Sequence, residues 1–338
     1  MQHDAVLWDE LSNREVKCRL CAHRCLIPEG GFGACGMRQN IDGALFTFAY
    51  GNVIASHIDP VEKKPLYHFL PGTYTYSIAT IGCNFRCGFC QNWTISQLSR
   101  RNDDADGYEF SATDIVKEAV RNQCESISFT YTEPTIFFEY AMDIAELSKK
   151  KGLKNIFVTN GYMSQDAISI LSNLIDAANV DLKSFSEDTY KKCGGSLHPV
   201  LESIGAMKKS GIWVEITTLI VPGINDSEAE LRRIAEFIYN IDPDMPWHIS
   251  RFHPDFKMTK TPSTPAETLE KAYSIGREEG LRHIYIGNMQ LSAGTNTICP
   301  GCANLCVVRA GFSATRSKSF SEDGRCLKCG TQIKGVWR

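Results

Sequence analysis

Cys83, Cys87 and Cys90 stand in the run Gly82-Cys83-Asn84-Phe85-Arg86-Cys87-Gly88-Phe89-Cys90, a C-x3-C-x2-C spacing directly after a strand-like segment. Three thiolates so close in sequence fit three corners of an iron–sulfur cube. No fourth cysteine lies nearby, so one iron would stay open to a small ligand. Zinc is the rival, but a structural zinc site as a rule takes four ligands. Gly82 and Gly88 let the backbone come close to such a cluster.

The 14 cysteines of this 338-residue chain make metal a recurring theme. The first twenty residues are charged throughout and lack the apolar stretch of a signal peptide. No run of about 18 uncharged apolar residues exists, so the expectation is a cytosolic protein without a membrane span. In a reducing compartment, clustered cysteines serve metals more often than disulfides. Cys299-Pro300-Gly301-Cys302 and Cys326-Leu327-Lys328-Cys329 are paired C-x2-C knuckles with a 23-residue spacer. That is the layout of a zinc ribbon, although four thiolates also suit an auxiliary iron–sulfur cluster. Cys18, Cys21, Cys25 and Cys35 fall within 18 residues and suggest another site, for zinc or an auxiliary cluster, with His23 as a substitute ligand. Cys306 reads as a spare thiol of the terminal module, and Cys124 and Cys193 as small buried apolar residues.

The formal net charge is −3, which argues against a general nucleic-acid binder, because such affinity comes mainly from neutralising phosphates. Between the outer cysteine groups, strand-like and helix-like segments alternate. Strands are expected at 75–81, 126–131, 155–159, 178–182, 213–221, 247–252 and 283–286. Helices are expected at 112–122, 134–151, 165–176, 197–209, 226–239 and 266–279. Repeated strand–helix units imply an α/β fold with a parallel sheet. Six or seven units are too few for a closed eight-stranded barrel and suit a partial, open parallel β/α barrel, with its chemistry at the C-terminal strand ends. The expected organisation is a Cys-rich N-terminal segment with short strands at 1–72, the barrel at 73–290 and a four-cysteine, zinc-ribbon-like module at 291–338.

With Phe89 before the last cysteine, the cluster motif resembles the C-x3-C-x-aromatic-C signature of the radical S-adenosylmethionine (SAM) superfamily. Further motifs resemble the pyruvate formate-lyase activating enzymes within it. Thr130-Tyr131-Thr132-Glu133-Pro134 stands where those enzymes have a Gly-Gly-Glu-Pro-like motif, with Tyr131 and Thr132 in place of the glycines. Val158-Thr159-Asn160-Gly161, Val180-Asp181-Leu182-Lys183, Val221-Pro222-Gly223-Ile224-Asn225-Asp226 and Ser250-Arg251-Phe252-His253-Pro254 are similar to the later strand-end motifs. Nearly the whole chain resembles the radical SAM member of the AmmeMemoRadiSam system. The N-terminal cysteines, the run His57 to His68, the Cys90-Gln91-Asn92 after the cluster, Ile284 to Asn288 and the terminal Gly335-Val336-Trp337 carry that likeness.

The resemblance implies a 4Fe-4S cluster on Cys83, Cys87 and Cys90 and SAM as cofactor, in an oxidoreductase or activase-like enzyme whose substrate stays unnamed. It places Phe89, Gln91, Thr132, Glu133, Asn160, Asp181, Lys183 and His253 near SAM. It implies a low-potential electron donor of flavodoxin or ferredoxin type, and Memo-type and AMMECR-type proteins as companions, with no nucleic acid or membrane partner. Blander readings compete at each position. Asp181 and Lys183, two apart on one strand face, would also make an ion pair. Asn160 before Gly161 would serve an ordinary turn. His248 would pack under the barrel rim, and Lys63-Lys64 would be a solvated pair. For the whole protein the rivals are a glycyl-radical activase acting on a partner protein, a zinc-binding scaffold without catalysis, and a ferredoxin-like electron carrier.

Overall fold

The seven strand-like segments of the middle region form strands and the six periodic segments form helices. The strands are β1 (Tyr74–Thr80), β2 (Ser126–Phe129), β3 (Lys154–Thr159), β4 (Ala177–Asp181), β5 (Trp213–Ile220), β6 (Trp247–Arg251) and β7 (Ile284–Gly287). The helices are α1 (Ala112–Arg121), α2 (Phe138–Lys149), α3 (Gln165–Leu171), α4 (Leu197–Lys209), α5 (Glu228–Ile241) and α6 (Ala266–Glu278). The computed structural model describes residues 2–98, 107–289 and 294–337. Its contacts divide the chain into two units: Met1–Asp59, Tyr74–Ala178 and Tyr190–Ile212 in the first, and Pro60–Thr73, Asn179–Thr189 and Trp213–Arg338 in the second. β4 begins in the first unit and ends in the second.

In the first unit β1, β2 and β3 pair in parallel, with Ser128 opposite Ser77 on one side and Ile156 on the other. The strand Asn52–Pro60 flanks β1 and pairs antiparallel with Tyr108–Glu109, so the sheet is mixed. Every residue of β2 is buried, as expected of a parallel strand covered on both faces, and its Ser128 hydroxyl is satisfied by Thr75 at 2.7 Å. α1 starts where the Ser111 hydroxyl accepts the Asp114 amide, a side-chain cap that satisfies one orphan donor. α2 is entered through a 3-10 turn, Pro134–Phe137, with proline at the position where its missing N–H costs nothing. α3 stops short of the expected residue 176. There Asp176 turns back to accept from the Asn155 amide and the Lys154 ammonium, and Lys149 donates to the Asn173 carbonyl. The N-terminal segment adds two small antiparallel sheets: Trp8–Glu10, Val16–Cys18 and Leu26–Ile27, and His3–Asp4, Ala44–Thr47 and Arg38–Ile41.

In the second unit β5, β6 and β7 are parallel, His248 lying opposite Thr217 and Tyr285. The Ser227 hydroxyl caps α5 by accepting the Glu230 amide. His248 does pack inside, but in a polar network: the Glu215 carboxylate meets its Nε2 at 2.6 Å and also accepts the amides of Tyr67 and His68. Lys64, expected on a solvated face, is buried instead beside buried Glu62, while Lys63 alone of the pair is exposed. At the C-terminus Thr297–Ile298, Leu305–Ala310 and Ser313–Arg316 form an antiparallel sheet over a small core that includes Cys306, Phe320 and Ile333. Cys306 is therefore an apolar core residue; burial pushes its thiol up to about 12. Among the described residues no helix is long and apolar enough to cross a membrane.

Candidate metal centre and cofactor site

The loop Gly82 to Asn92 leaves the C-terminal end of β1, and neighbouring strand ends fasten it. Gly82 turns it at φ 92°, where a Cβ would meet Met37 and Ile136 at 3.1 Å. Phe85 fills the loop's inner side and lies so close to Gly195 that a side chain there would stand 2.3 Å from its ring. The Arg86 guanidinium donates to the Cys83 and Phe85 carbonyls at 2.6 and 2.9 Å, closing the loop on itself. Hydrogen-bonding groups converge on the thiols: the Phe85 amide donates to Cys83 Sγ at 3.3 Å, and Ser96 Oγ and Cys90 Sγ share a hydrogen bond at 3.1 Å. Hydrogen bonds to sulfur favour the thiolate form that metal ligation needs.

Asn160 and Glu133 hold this loop against β2 and β3. Asn160 Nδ2 donates to Asn84 Oδ1 at 2.7 Å and approaches Cys83 Sγ at 3.8 Å, while its Oδ1 accepts the Tyr162 amide at 2.9 Å. The Asn-Gly turn is real, and the same side chain also orients a cluster cysteine. The Glu133 carboxylate is buried and accepts the Asn160 amide at 2.8 Å, the Thr159 hydroxyl at 2.7 Å, and both the amide and hydroxyl of Thr135. Burial pushes its carboxyl up, and these donors oppose the shift. Thr132 Oγ1 donates to the Thr80 carbonyl at 2.7 Å. Thr132, Glu133 and Asn160 therefore spend their side chains on the protein in this structure. Within the loop, Phe89 is buried and Gln91 is exposed.

Tyr131 occupies a backbone position that favours glycine. Its φ is 64°, a left-handed conformation that costs a bulky L-residue about 1–2 kcal/mol. Two bonds hold it: its hydroxyl donates to buried Asp59, and its carbonyl accepts Asn92 Nδ2 at 2.8 Å. The departure from a glycine pair thus keeps the glycine-like backbone.

The other expected site residues lie in the second unit. Lys183 Nζ, just past the end of β4, pairs with Asp181 Oδ2 at 2.8 Å, so the two make the ion pair that their spacing in sequence suggested. Asn225 stitches the strand ends together: its amide donates to the carbonyls of Lys183 and Leu219 at 2.8 Å and its oxygen accepts the Val221 amide at 2.7 Å. Glu230 accepts from the Ser184 hydroxyl and the Phe185 amide, fixing the chain after Lys183. His253 is exposed. The thiols of Cys299, Cys302, Cys326 and Cys329 all lie within 4.8 Å of one another, with Cys299 to Cys329 at 3.5 Å and Cys302 to Cys326 at 3.7 Å. The Thr331 hydroxyl and amide pull Cys329 down to about 6. In the N-terminal segment Cys18, Cys21, Cys25 and Cys35 line one cavity. His23 is turned from the role of substitute ligand, its Nε2 lying 2.8 Å from the Asn84 carbonyl.

Asn84, Ser96, Asn225 and Glu230 were not foreseen. Asn84 and Asn225 sit inside motifs the sequence had marked, so polarity at an inner motif position was the available signal; Ser96 and Glu230 carried none.

Residues 77–238 match the model of the radical SAM superfamily. An uncharacterised protein of Methanocaldococcus jannaschii is 44% identical over 332 residues, spanning 98% of both chains. The chain belongs to the radical SAM superfamily. The pyruvate formate-lyase-activating enzyme of Clostridium pasteurianum is 28% identical over 170 residues, 47% of this chain and 67% of that one. A solved radical SAM methyltransferase from Sphaerobacter thermophilus aligns with a TM-score of 0.49 at 16% identity, over 70% of this chain and 71% of its own. Membership implies a 4Fe-4S cluster and SAM, and radical SAM superfamily proteins are enzymes.

Proposed function

We propose that this protein is a radical SAM enzyme whose 4Fe-4S cluster sits on Cys83, Cys87 and Cys90. The carrying observation is the set of three cysteines on one loop at the end of β1, with an amide donor on one sulfur and a hydroxyl within hydrogen-bond distance of another. When bound, the cluster and SAM together supply reductive cleavage of the sulfonium to methionine and a 5′-deoxyadenosyl radical that takes hydrogen from a substrate.

The chain's own residues bind and position. Asn160 and Glu133 hold Cys83 and its loop in register with β2 and β3, so in this reading both are positioning residues, and any contact of this stretch with SAM falls to the backbone that Tyr131 keeps in glycine-like form. Gln91, exposed after the last cysteine, and Phe89 beside it are the loop side chains assigned to the ligand. Asp181, Lys183 and His253 are assigned to SAM or an anionic substrate group, on an open parallel β/α barrel. The C-terminal four cysteines are assigned to zinc in a ribbon-like module: Zn–S bonds of ~2.3 Å make a tetrahedron with edges of ~3.8 Å, close to the observed separations. The external reductant is assigned to the flavodoxin or ferredoxin class, the pathway companions to Memo-type and AMMECR-type proteins, and the location to the cytoplasm.

The test is 5′-deoxyadenosine formation from SAM by the anaerobic, iron-loaded protein with dithionite. Product in the wild type and none in Cys83→Ala supports the reading; none in either sinks it. A second reading, a glycyl-radical activase, is favoured by the match to an enzyme of that kind over 170 residues. It requires an electron-spin signal on a partner protein that Cys83→Ala does not raise.

A further inference from the structure

Four thiols lie behind the cluster loop in a place that the proposed function does not use. Cys18 ends the strand Val16–Cys18, and its amide donates to the Cys25 carbonyl at 2.9 Å, which brings 18 and 25 together with Cys21 on the bend between them. The turn at Gly33–Gly36 delivers Cys35 to the same cavity. Two donors already point at sulfur: the Ala34 amide lies 3.4 Å from Cys25 Sγ, and Arg38 Nη1 lies 3.6 Å from Cys18 Sγ.

Two more donors at this cavity have no acceptor among the described residues. Arg38 is 1% exposed and Asn84 3%, both line the cavity, and both Arg38 Nε and Asn84 Nδ2 are without a partner. Buried donors are normally satisfied, so two orphans facing one cavity ask for acceptors there. Arg38 is also a buried cation held by Glu139, which suits a negatively charged neighbour.

We propose that Cys18, Cys21, Cys25 and Cys35 hold a second iron–sulfur cluster, fully ligated by the chain, whose sulfides accept from Arg38 and Asn84. Zinc fits less well on two counts. It brings no acceptor of its own, whereas a cluster brings inorganic sulfides. A single zinc also needs its sulfurs ~3.8 Å apart. Among the described residues only the C-terminal set lies mutually within 4.8 Å, so the N-terminal thiols are spread wider, as the separate corners of a cube require.

The position gives the second cluster its use, and here the inference rests on the function proposed for the first. With four protein thiolates no iron stays open, so this site is closed to SAM and substrate and fit for passing electrons. Asn84 belongs to the loop between Cys83 and Cys87 while lining this cavity, its carbonyl meets His23, and Arg86 Nη2 donates to the Ala34 carbonyl at 3.1 Å. The two cysteine sets thus share one wall.

The experiment measures iron, acid-labile sulfide, zinc and reduced-state electron-spin spectra of the full chain purified without oxygen. Three proteins are compared: wild type, Cys83→Ala/Cys87→Ala/Cys90→Ala, and Cys18→Ala/Cys21→Ala/Cys25→Ala/Cys35→Ala. About eight irons in the wild type and about four in each variant are expected, with a signal in the first variant that ignores SAM. A first variant without iron or sulfide that holds one zinc more than the second variant would overturn the proposal in favour of zinc. Should the second variant not fold, the wild type decides. Two signals of which SAM moves one support a second cluster; about four irons and a single SAM-sensitive signal refute it. Iron that survives in the first variant while no wild-type signal responds to SAM would sink the proposed function and leave this inference standing.

Discussion

Glu133→Gln separates a positioning carboxylate from one that holds the cofactor. In the structure its two oxygens accept four donors, and Oε2 takes the Asn160 amide alone. Glutamine keeps one oxygen, which the three donors on the other side will claim, and turns its NH2 toward the Asn160 N–H. Two donors then face each other in a buried place. A hydrogen bond to a charged group is worth about 1.5–3 kcal/mol, and each 1.4 kcal/mol is tenfold in an equilibrium. Hydrogen exchange at the Asn160 amide should therefore quicken by about 10–100-fold, read as local opening. The Thr135 amide, whose acceptor survives, should change less, and Glu133→Ala should free both. Iron content should fall along with Asn160 protection, because Asn160 also orients Cys83. Unchanged exchange at Asn160 together with weaker SAM binding would refute this reasoning and return the carboxylate to the cofactor.

Gly195→Ala should displace Phe85, since the new Cβ would stand 2.3 Å from its ring, at a cost of about 1–3 kcal/mol; a lower melting midpoint and looser iron retention check it. Cys326→Ala/Cys329→Ala should release about one zinc per chain and unfold the terminal module, seen as new protease cleavage after residue 294 with the iron content unchanged. Acid should destabilise the second unit through its buried histidines. Burial holds His283 down at about 4, against 6.5 in the unfolded chain, and lowers His68 as well, their rings 4.4 Å apart. The folded state then binds fewer protons than the unfolded one between those values, so stability is full above pH ~6.5 and falls as pH drops toward ~4, by up to about 3 kcal/mol for His283. Melting midpoints at pH 7 and pH 5 check the sign, and a midpoint that rises at pH 5 contradicts it.

The strand–helix alternation was legible because parallel strands buried on both faces leave short runs rich in β-branched and aromatic residues, such as Thr75 to Thr80, and helices leave periodic ones with caps such as Ser227. The helix end that shifted most had a tertiary cause. α3 stops at Leu171 because Asp176 is needed by Asn155 and Lys154 across the sheet, partners 21 and 22 residues away that no local window contains. Lys64, the residue that closes the short 3-10 turn Val61–Lys63, is buried, where a charged pair in sequence reads as solvated. Tyr131 shows the opposite case. A motif read as having lost its glycines keeps their backbone at φ 64°, because Asp59, from a distant strand, anchors the hydroxyl.

Cysteine spacing carried the metal reading, and its reach is bounded by geometry. Spacing gives the number of thiols and their nearness along the chain; it does not give the distance between sulfurs, which follows from how the turns cross. Two C-x2-C knuckles bring four sulfurs to within 4.8 Å, tight enough for one ion. The run Cys18 to Cys35 has the same count and an even shorter span, yet folds to a wider set. What distinguishes the two sites is supplied from elsewhere in the chain: Arg38 from a neighbouring strand and Asn84 from the cluster loop, both with donors left over. A buried donor without an acceptor has no signature in sequence, because its partner is absent from the polypeptide. It appears only when every polar atom has been matched, and at this cavity the two unmatched donors, Arg38 Nε and Asn84 Nδ2, are what the sulfides of the proposed second cluster would take up.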